Sequence, residues 1–227
     1  MSESDDKLKI LALHGYRQNA EKFKKITQPL VDALSPWVNF VYVTAPHEVL
    51  LVDDPDDLKV GDKLNKNQFG WFFNRDNLTN RGIRNGGPAT GFEETITLIE
   101  SIVETYGPFD GILGFSQGAC LVALLCDLQH RRLIKTKFNF AIIISGFKSK
   151  CLPHLKYFSD IIPIPTLHVI GDDDRIIPTN MSELLAEAFE ESIIVRHPGG
   201  HIIPTTPEQM EDYHNFIYNQ YLSKNLS

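Results

Sequence analysis

Short, almost wholly apolar runs alternate along the chain with stretches whose apolar positions recur every three or four residues. Leu8–Leu13 is such a run, and Phe138–Ser145 is another, nearly all apolar as a strand buried on both faces should be. Between them, Phe92–Tyr106 and Gln117–Arg131 carry the spacing of helices. This alternation predicts an α/β fold, a mostly parallel central sheet with helices on both faces.

The same pattern continues over the rest of the chain. One helix is predicted from about Asn19 to the residue before Pro36, because its apolar positions are three or four residues apart. The further predicted strands are Val38–Thr44, Asp110–Phe115, Ile164–Ile170 and Ser192–Val195. The further predicted helices are Thr179–Phe189 and Pro207–Tyr221. We expect a single domain over residues 8–222, preceded by a polar tail at residues 1–7.

The segment from His47 to Ala89 shows neither a helical nor a strand period. It begins with an acidic run, Asp53 to Asp57, and later concentrates four aromatic residues, Phe69, Trp71, Phe72 and Phe73. Because the segment leaves the carboxyl end of a predicted parallel strand, it starts on the side where open α/β sheets bind ligands. We therefore expect an irregular, lid-like insertion at residues 47–89 whose aromatic side chains form part of the substrate pocket. The alternative is that they only anchor the insertion to the surface.

The candidate nucleophile lies in the sequence Gly114-Phe115-Ser116-Gln117-Gly118, which fits the G-x-S-x-G pattern of a nucleophile elbow. Five residues with three of them fixed are a weak signal alone. Here the pattern follows a predicted strand and begins a predicted helix, which is the context that the elbow requires. Ser116 is then the candidate nucleophile of a hydrolase, and an ordinary helix N-cap is the alternative.

A serine nucleophile needs a base, and the base needs an acid that orients it. Candidates for both follow later strands: the acidic turn Asp172–Asp174 comes after Ile164–Ile170, and His201 comes after Ser192–Val195. His201 is the candidate base because the two glycines before it let its loop fold back over the site. Spacing alone leaves all three aspartates as candidate acids.

Two backbone N–H groups are expected to stabilise the oxyanion that forms during acyl transfer. The N–H of Gln117 is one, because Gln117 directly follows the candidate nucleophile. The second is expected from the loop after the first strand, His14 to Asn19, where Gly15 permits a close backbone approach and Tyr16 follows it.

Composition and charge narrow the functional class. The 227 residues include 22 basic and 29 acidic side chains, and the resulting net charge of −7 disfavours nucleic acid as a partner. Three cysteines without a CxxC spacing indicate neither a disulfide scaffold nor a zinc site. No apolar run approaches the ~20 residues of a membrane span, and the polar, acidic N-terminus is unlike an export signal. We expect a soluble enzyme that acts on a small molecule and binds no metal.

Several motifs together resemble the FSH family of serine hydrolases. They are Leu13–Asn19, Gly107–Gly111 leading into Gly114–Ala119, Ser145–Phe147, His168–Gly171 with Asp174 and Pro178, and His197–Pro204. Within that family, Gly70-Trp71-Phe72-Phe73 resembles the branch that includes the ovarian-cancer-associated serine hydrolase. The resemblance covers the chain from about Lys9 to Tyr218.

The resemblance implies an α/β-hydrolase fold and a carboxylesterase activity without a cofactor. By position, it makes Ser116 the nucleophile, Asp174 the acid and His201 the base. It also suggests a cytoplasmic location, with the nucleus as a second compartment. Neither the oligomeric state nor the physiological ester follows from the sequence.

The expected reaction is hydrolysis of carboxylic esters through an acyl-enzyme, and the aromatic residues of the insertion favour medium-to-long alkyl acyl chains. Poor turnover of charged substrates is expected near the acidic run Asp53 to Asp57. The first alternative is an acyl-thioesterase, because Gly-Phe-Ser-Gln-Gly also occurs in acyl-protein-thioesterase-like hydrolases. The second is a non-catalytic ligand-binding protein with a hydrolase fold.

Overall fold

The computed structural model describes residues 7–50 and 67–226. Its strands are β1 Leu8–Leu13, β2 Val38–Val43, β3 His47–Glu48, β4 Phe69–Gly70, β5 Gly111–Phe115, β6 Phe140–Ile144, β7 Thr166–Gly171 and β8 Ser192–His197. Its helices are α1 Ala20–Ile26, α2 Gln28–Leu34, α3 Phe92–Tyr106, α4 Gln117–His130, α5 Thr179–Ala186 and α6 Pro207–Leu226, with a 3-10 turn at Leu152–His154. Residues 1–6 of the expected tail and the acidic run Asp53 to Asp57 lie outside the described residues.

Six strands form one sheet in the order β2-β1-β5-β6-β7-β8, and every neighbouring pair is parallel. Alternate residues of each strand face opposite sides, so the sheet separates two apolar clusters. On one side Leu13 and Ile112 pack with residues of α3, α4 and α5. On the other side Ala12 and Leu113 pack with residues of α1, α2 and α6. The predicted architecture, a parallel sheet with helices on both faces, is confirmed.

The first predicted helix is instead two helices, α1 and α2, separated at Thr27. Pro29 lies in the first turn of α2, and a proline has no N–H to continue the hydrogen bonding of the preceding helix. The Thr27 hydroxyl donates to the carbonyl of Phe23 at 2.9 Å, which satisfies a carbonyl at the end of α1. The last helix also runs further than predicted, to Leu226.

The described part of the segment from residue 47 to 89 is held by strand pairing and by the burial of its aromatic side chains. Strands β3 and β4 pair antiparallel, with His47 opposite Gly70. Phe73 and Thr90 form a further antiparallel bridge just before α3. Three of its aromatic residues, Trp71, Phe72 and Phe73, are almost wholly buried. These three side chains therefore attach the segment through the protein interior, whereas Leu78 and Ile83 of the same segment are exposed.

Candidate active site

Ser116 lies at the sharp turn between β5 and α4, with φ of 56° and ψ of −116°. A side chain in this left-handed region is strained, and such strain at a strand–helix turn is typical of a nucleophile elbow. The flanking glycines are required by space. A Cβ at Gly114 would lie 2.5 Å from the backbone of Gly118, and a Cβ at Gly118 would collide with the carbonyls of Leu13 and His14. The G-x-S-x-G pattern thus has a steric cause at both of its ends.

The structure brings the three sequence-predicted side chains together at the carboxyl ends of the strands. His201 Nε2 lies 2.9 Å from Ser116 Oγ, and His201 Nδ1 lies 2.8 Å from Asp174 Oδ2. Ser116 follows β5, Asp174 follows β7 and His201 follows β8. Because these strands are parallel, their ends meet at one edge of the sheet. The arrangement is that of a nucleophile, a base and an acid that orients the base.

Among the three aspartates of the acidic turn, the structure gives Asp174 the contact with His201. Its side chain is 2% exposed, and Oδ1 accepts the backbone N–H groups of Ile176 at 2.9 Å and Ile177 at 2.8 Å. Burial opposes ionisation of this carboxyl, but the hydrogen bonds from His201 and from the two N–H groups outweigh it, so its pKa is lowered.

The other two aspartates bond to arginines at the surface. Asp172 lies 2.8 Å from Arg196, and Asp173 lies 3.3 Å from Arg175. The side chains of Asp172 and Asp173 are 48% and 66% exposed. Neither carboxylate is placed to orient the imidazole.

The loop that carries His201 folds back over the end of β7. Asp172 N–H donates to the His197 carbonyl at 2.9 Å, and Asp173 N–H donates to the Gly199 carbonyl at 3.2 Å. Any side chain at Gly171 would meet the carbonyls of Gly199 and Gly200. The His201 ring lies 4.8 Å from the Phe115 ring, centroid to centroid, and the side chain is 18% exposed. The imidazole is thus held on several sides and still reachable by a substrate.

A pocket opens beside Ser116, with Tyr16 and Gln117 also in its wall. The rest of its described lining is Asn80, Arg81, Gly82, Ile83, Phe147, Arg175, Ile176 and Ile177. Gln117 is the first residue of α4, so its N–H has no acceptor within the helix. The two residues expected to supply oxyanion donors therefore lie at the same pocket as the candidate nucleophile.

The aromatic residues of the insertion are not where the sequence interpretation put them. None of Phe69, Trp71, Phe72 and Phe73 belongs to the pocket's described lining. Trp71 is 0% exposed and Phe72 is 2% exposed, and both belong to the apolar cluster under α3 and α4. Phe69 packs against the same cluster. The physical reason is that burial of large rings in the core removes more apolar surface from water than lining an open pocket would.

Sequence reasoning missed most of the pocket's side chains. Phe147 belongs to the motif Ser145–Phe147, but the motif assigned it no role. Ile176 and Ile177 follow closely after the acidic turn Asp172–Asp174. That adjacency was the available signal, because residues next to the acid must lie near the base. For Arg81 and Ile83, in the irregular insertion, the sequence offered no comparable signal.

Four further histidines of the described structure, His14, His154, His168 and His197, are buried. Burial lowers the pKa of His14 to about 4, that of His154 to about 4 and that of His168 to about 3. His168 lies inside β7 and is 1% exposed, so its prediction as a core residue is confirmed. None of these imidazoles contacts Ser116 in the described structure.

The described residues form neither a metal site nor a membrane-spanning helix. No three His, Cys, Asp or Glu side chains among residues 7–50 and 67–226 are grouped so that they could hold a metal ion. In the same two ranges, no helix combines the length and hydrophobicity needed to cross a membrane.

Esterases are found both among proteins similar to this chain in sequence and among solved structures similar to it in fold. A family model described as serine hydrolase (FSH1) matches residues 1–213. An esterase of Anopheles gambiae is 44% identical over 216 residues, covering 95% of this chain and 79% of that protein. Esterase OVCA2 of Danio rerio is 38% identical over 221 residues, covering 92% of this chain and 96% of that protein.

Solved structures with the same fold are more distant in sequence. Acyl-protein thioesterase 2 of Zea mays has a TM-score of 0.67 at 18% identity, covering 95% of this chain and 94% of that one. A carboxylesterase of Bacillus cereus has a TM-score of 0.61 at 16% identity, covering 96% of this chain and 91% of that one. At this level of identity the likeness concerns the fold, and it confirms the expected α/β-hydrolase architecture.

Proposed function

The chain belongs to the FSH1 family of serine hydrolases and is a hydrolytic enzyme, and we propose that it cleaves carboxylic esters by transferring their acyl group first to Ser116 and then to water. The observation that carries the proposal is the hydrogen-bonded series Ser116, His201 and Asp174, whose serine lines a pocket. A serine hydroxyl is a weak nucleophile until a neighbouring base accepts its proton.

In the first half of the reaction, Ser116 Oγ attacks the ester carbonyl carbon while His201 Nε2 takes the hydroxyl proton. The carbonyl oxygen becomes an oxyanion, which accepts hydrogen bonds from the backbone N–H groups of Gln117 and Tyr16. The tetrahedral intermediate then collapses, and His201 delivers its proton to the leaving alkoxide oxygen. The alcohol departs, and the acyl group remains on Ser116 as an ester.

In the second half, water replaces the alcohol. His201 Nε2 removes a proton from the water, whose oxygen attacks the acyl carbon, and the proton then returns to Ser116 Oγ as the carboxylic acid leaves. Asp174 accepts the Nδ1–H of His201 throughout. This contact selects the tautomer whose Nε2 can accept a proton, and it stabilises the imidazolium that forms twice in each turnover.

The pocket supports a preference for medium-to-long alkyl acyl chains. Phe147 and Ile177 are buried side chains of its wall, and Ile83 and Ile176 lie at its exposed part. Each methylene buried against such a surface is worth about 0.8 kcal/mol. Three more carbons would then change kcat/KM by roughly one to two orders of magnitude, at about 1.4 kcal/mol per tenfold. The proposed chain-length preference rests on this pocket wall and not on the buried aromatic residues of the insertion.

A thioester is the second candidate substrate, because acyl-protein thioesterase 2 of Zea mays shares the fold. The proposed triad and oxyanion donors serve both reactions, since an ester and a thioester pass through the same kind of tetrahedral oxyanion. They differ in the leaving group, an alcohol in one case and a thiol in the other.

The test is a series of esters graded from acetyl to dodecanoyl, run beside thioesters of the same acyl groups, on the wild type and on Ser116→Ala. We expect oxygen esters with longer chains to be turned over best and Ser116→Ala to lose about 10⁴–10⁶-fold in activity. Higher kcat/KM for every thioester would replace the esterase proposal with a thioesterase. A Ser116→Ala variant with a tenth of wild-type turnover would overturn the nucleophile.

A further inference from the structure

Both polar atoms of the Gln117 side-chain amide form hydrogen bonds within the protein. The amide is buried, and it bonds to two successive residues of the insertion: Oε1 accepts the Trp71 N–H at 3.0 Å, and Nε2 donates to the Phe72 carbonyl at 2.6 Å. These two bonds tie the start of α4, which carries the Gln117 N–H, to the short segment from residue 69 to 72.

The same segment also holds the loop that carries Tyr16. The indole Nε1–H of Trp71 donates to the His14 carbonyl at 2.8 Å, and the Trp71 ring lies 5.0 Å from the His14 ring between centroids. Phe69 bonds through its backbone on both sides: it accepts from Arg17 N–H at 2.9 Å and donates to the Gln18 carbonyl at 2.9 Å. The loop is thus held two residues before Tyr16, at His14, and directly after it, at Arg17.

Close packing leaves little freedom between the two attachments. A Cβ at Gly70 would lie 3.0 Å from the Tyr16 ring and 3.4 Å from Gln117 Oε1. Gly70 therefore lies against both residues proposed as oxyanion donors. Trp71, wholly buried in the core, gives the segment a rigid anchor.

We propose that the Gln117 amide and the Trp71 indole are positioning groups that set the spacing between the two oxyanion donors. The inference rests on the proposed function, because it assumes that the Gln117 and Tyr16 N–H groups bind an oxyanion. These donors belong to separate elements, Tyr16 to the loop after β1 and Gln117 to the first turn of α4, and the segment from residue 69 to 72 bonds to both. An oxyanion hole works only when its donors are already aimed at the developing charge, so loosening this link lowers the rate rather than substrate binding.

The test uses Gln117→Met, which keeps a similar side-chain length and removes both amide hydrogen bonds. The chain supplies a matched control at the other end of the same helix. There the Gln129 amide donates to the Phe138 carbonyl at 2.9 Å and accepts the Phe138 N–H at 2.7 Å. Gln129→Met therefore removes the same pair of bonds far from the elbow. Trp71→Phe is the second variant, because it removes the indole N–H and keeps an aromatic ring, though a smaller one, in the core.

For each variant we would measure kcat, KM, the melting temperature and the inhibition constant of an alkyl trifluoromethyl ketone, which forms a tetrahedral adduct with a serine nucleophile. Gln117→Met should lower kcat by about 10–100-fold, less than the loss of a whole donor, with KM within about threefold. The inhibition constant should rise by the factor by which kcat/KM falls. Trp71→Phe should shift the same quantities in the same direction, and Gln129→Met should change only the melting temperature.

The inference is overturned if Gln117→Met and Trp71→Phe keep kcat within twofold of the wild type, or if Gln129→Met lowers kcat as much as they do. Should Gln117→Met not fold, Trp71→Phe decides by the same criteria. Failure of the proposed function gives a different result, because Ser116→Ala would then remain active in the same assay. An inactive Ser116→Ala together with fully active Gln117→Met and Trp71→Phe refutes the positioning role alone.

Discussion

Replacing Asp174 with asparagine should disable His201 by fixing its ring in the wrong tautomer. In the wild type, Asp174 Oδ1 accepts two backbone N–H groups, from Ile176 and Ile177, and Oδ2 faces His201 Nδ1. An asparagine must keep its carbonyl oxygen toward those two N–H groups, so its NH₂ group faces His201. The imidazole then accepts at Nδ1 and carries its proton on Nε2, where it cannot take the proton of Ser116.

The structure also gives the cost of escaping this tautomer. Flipping the asparagine amide would aim its NH₂ group at the N–H groups of Ile176 and Ile177, leaving the buried Ile177 donor and the part-buried Ile176 donor without their acceptor. A buried unsatisfied donor costs about 1–3 kcal/mol, so the flip costs at least about that much through Ile177 alone. The wrong tautomer therefore dominates, and we expect kcat/KM to fall on the order of 10³–10⁴-fold.

The assay is hydrolysis of a p-nitrophenyl ester by Asp174→Asn, with Asp172→Asn and Asp173→Asn as matched controls from the same turn. The control carboxylates bond to Arg196 and Arg175, so each control should lose less than about tenfold. Melting temperatures measured alongside separate loss of activity from loss of fold. An Asp174→Asn variant with more than a tenth of wild-type kcat/KM, or a control that loses as much as it does, would refute the reasoning.

The remaining predictions concern acid stability, chain length and the elbow. His168 has its pKa lowered from 6.5 to about 3 by burial, so the unfolded chain binds a proton that the folded one rejects, and stability is lost as the pH falls below about 6.5. His168→Leu removes this loss. Between pH 7 and pH 4, urea unfolding should show that the unfolding free energy of the wild type falls by about 3 kcal/mol more than that of the variant. Equal falls in the two proteins would contradict this prediction. Phe147→Ala should lower kcat/KM for a decanoyl ester at least tenfold more than for an acetyl ester, and equal losses would show that this ring does not contact the acyl chain. Gly118→Ala should destabilise the protein by about 1–3 kcal/mol in thermal unfolding, because its Cβ meets the carbonyls of Leu13 and His14; full stability would contradict the steric argument.

The parts of the molecule that follow a period or a motif could be predicted from the sequence. β1 has the predicted bounds, Leu8–Leu13, because a run that is apolar except for Lys9 is stable in the interior of a parallel sheet. The motifs around Ser116 and His201 and the acidic turn all lie at strand ends, and in the structure their side chains are hydrogen-bonded. Their roles in catalysis remain predictions. The choice of Asp174 came from family resemblance, since spacing alone could not separate three adjacent carboxylates.

The parts without a period could not be predicted in the same way. An irregular segment has no repeating face, so its composition does not reveal whether Trp71 points into the core or into a pocket. The rings of Trp71 and Phe72 are buried because the helices α3 and α4 provide a cavity for them, a long-range property absent from the local sequence. The first predicted helix is also divided, at Thr27. Its apolar spacing is continuous, but Pro29 cannot donate the backbone hydrogen bond that a single helix would need.

The central claim, that Ser116 carries the acyl group between alcohol and water, can be tested by mass spectrometry of the protein quenched in acid within its first turnovers on a p-nitrophenyl decanoate. The account predicts a mass increase of one decanoyl group, located by peptide mapping on the peptide that contains Ser116, and absent from Ser116→Ala. Acylation at another residue, or rapid turnover by Ser116→Ala with no acylated protein, would contradict it.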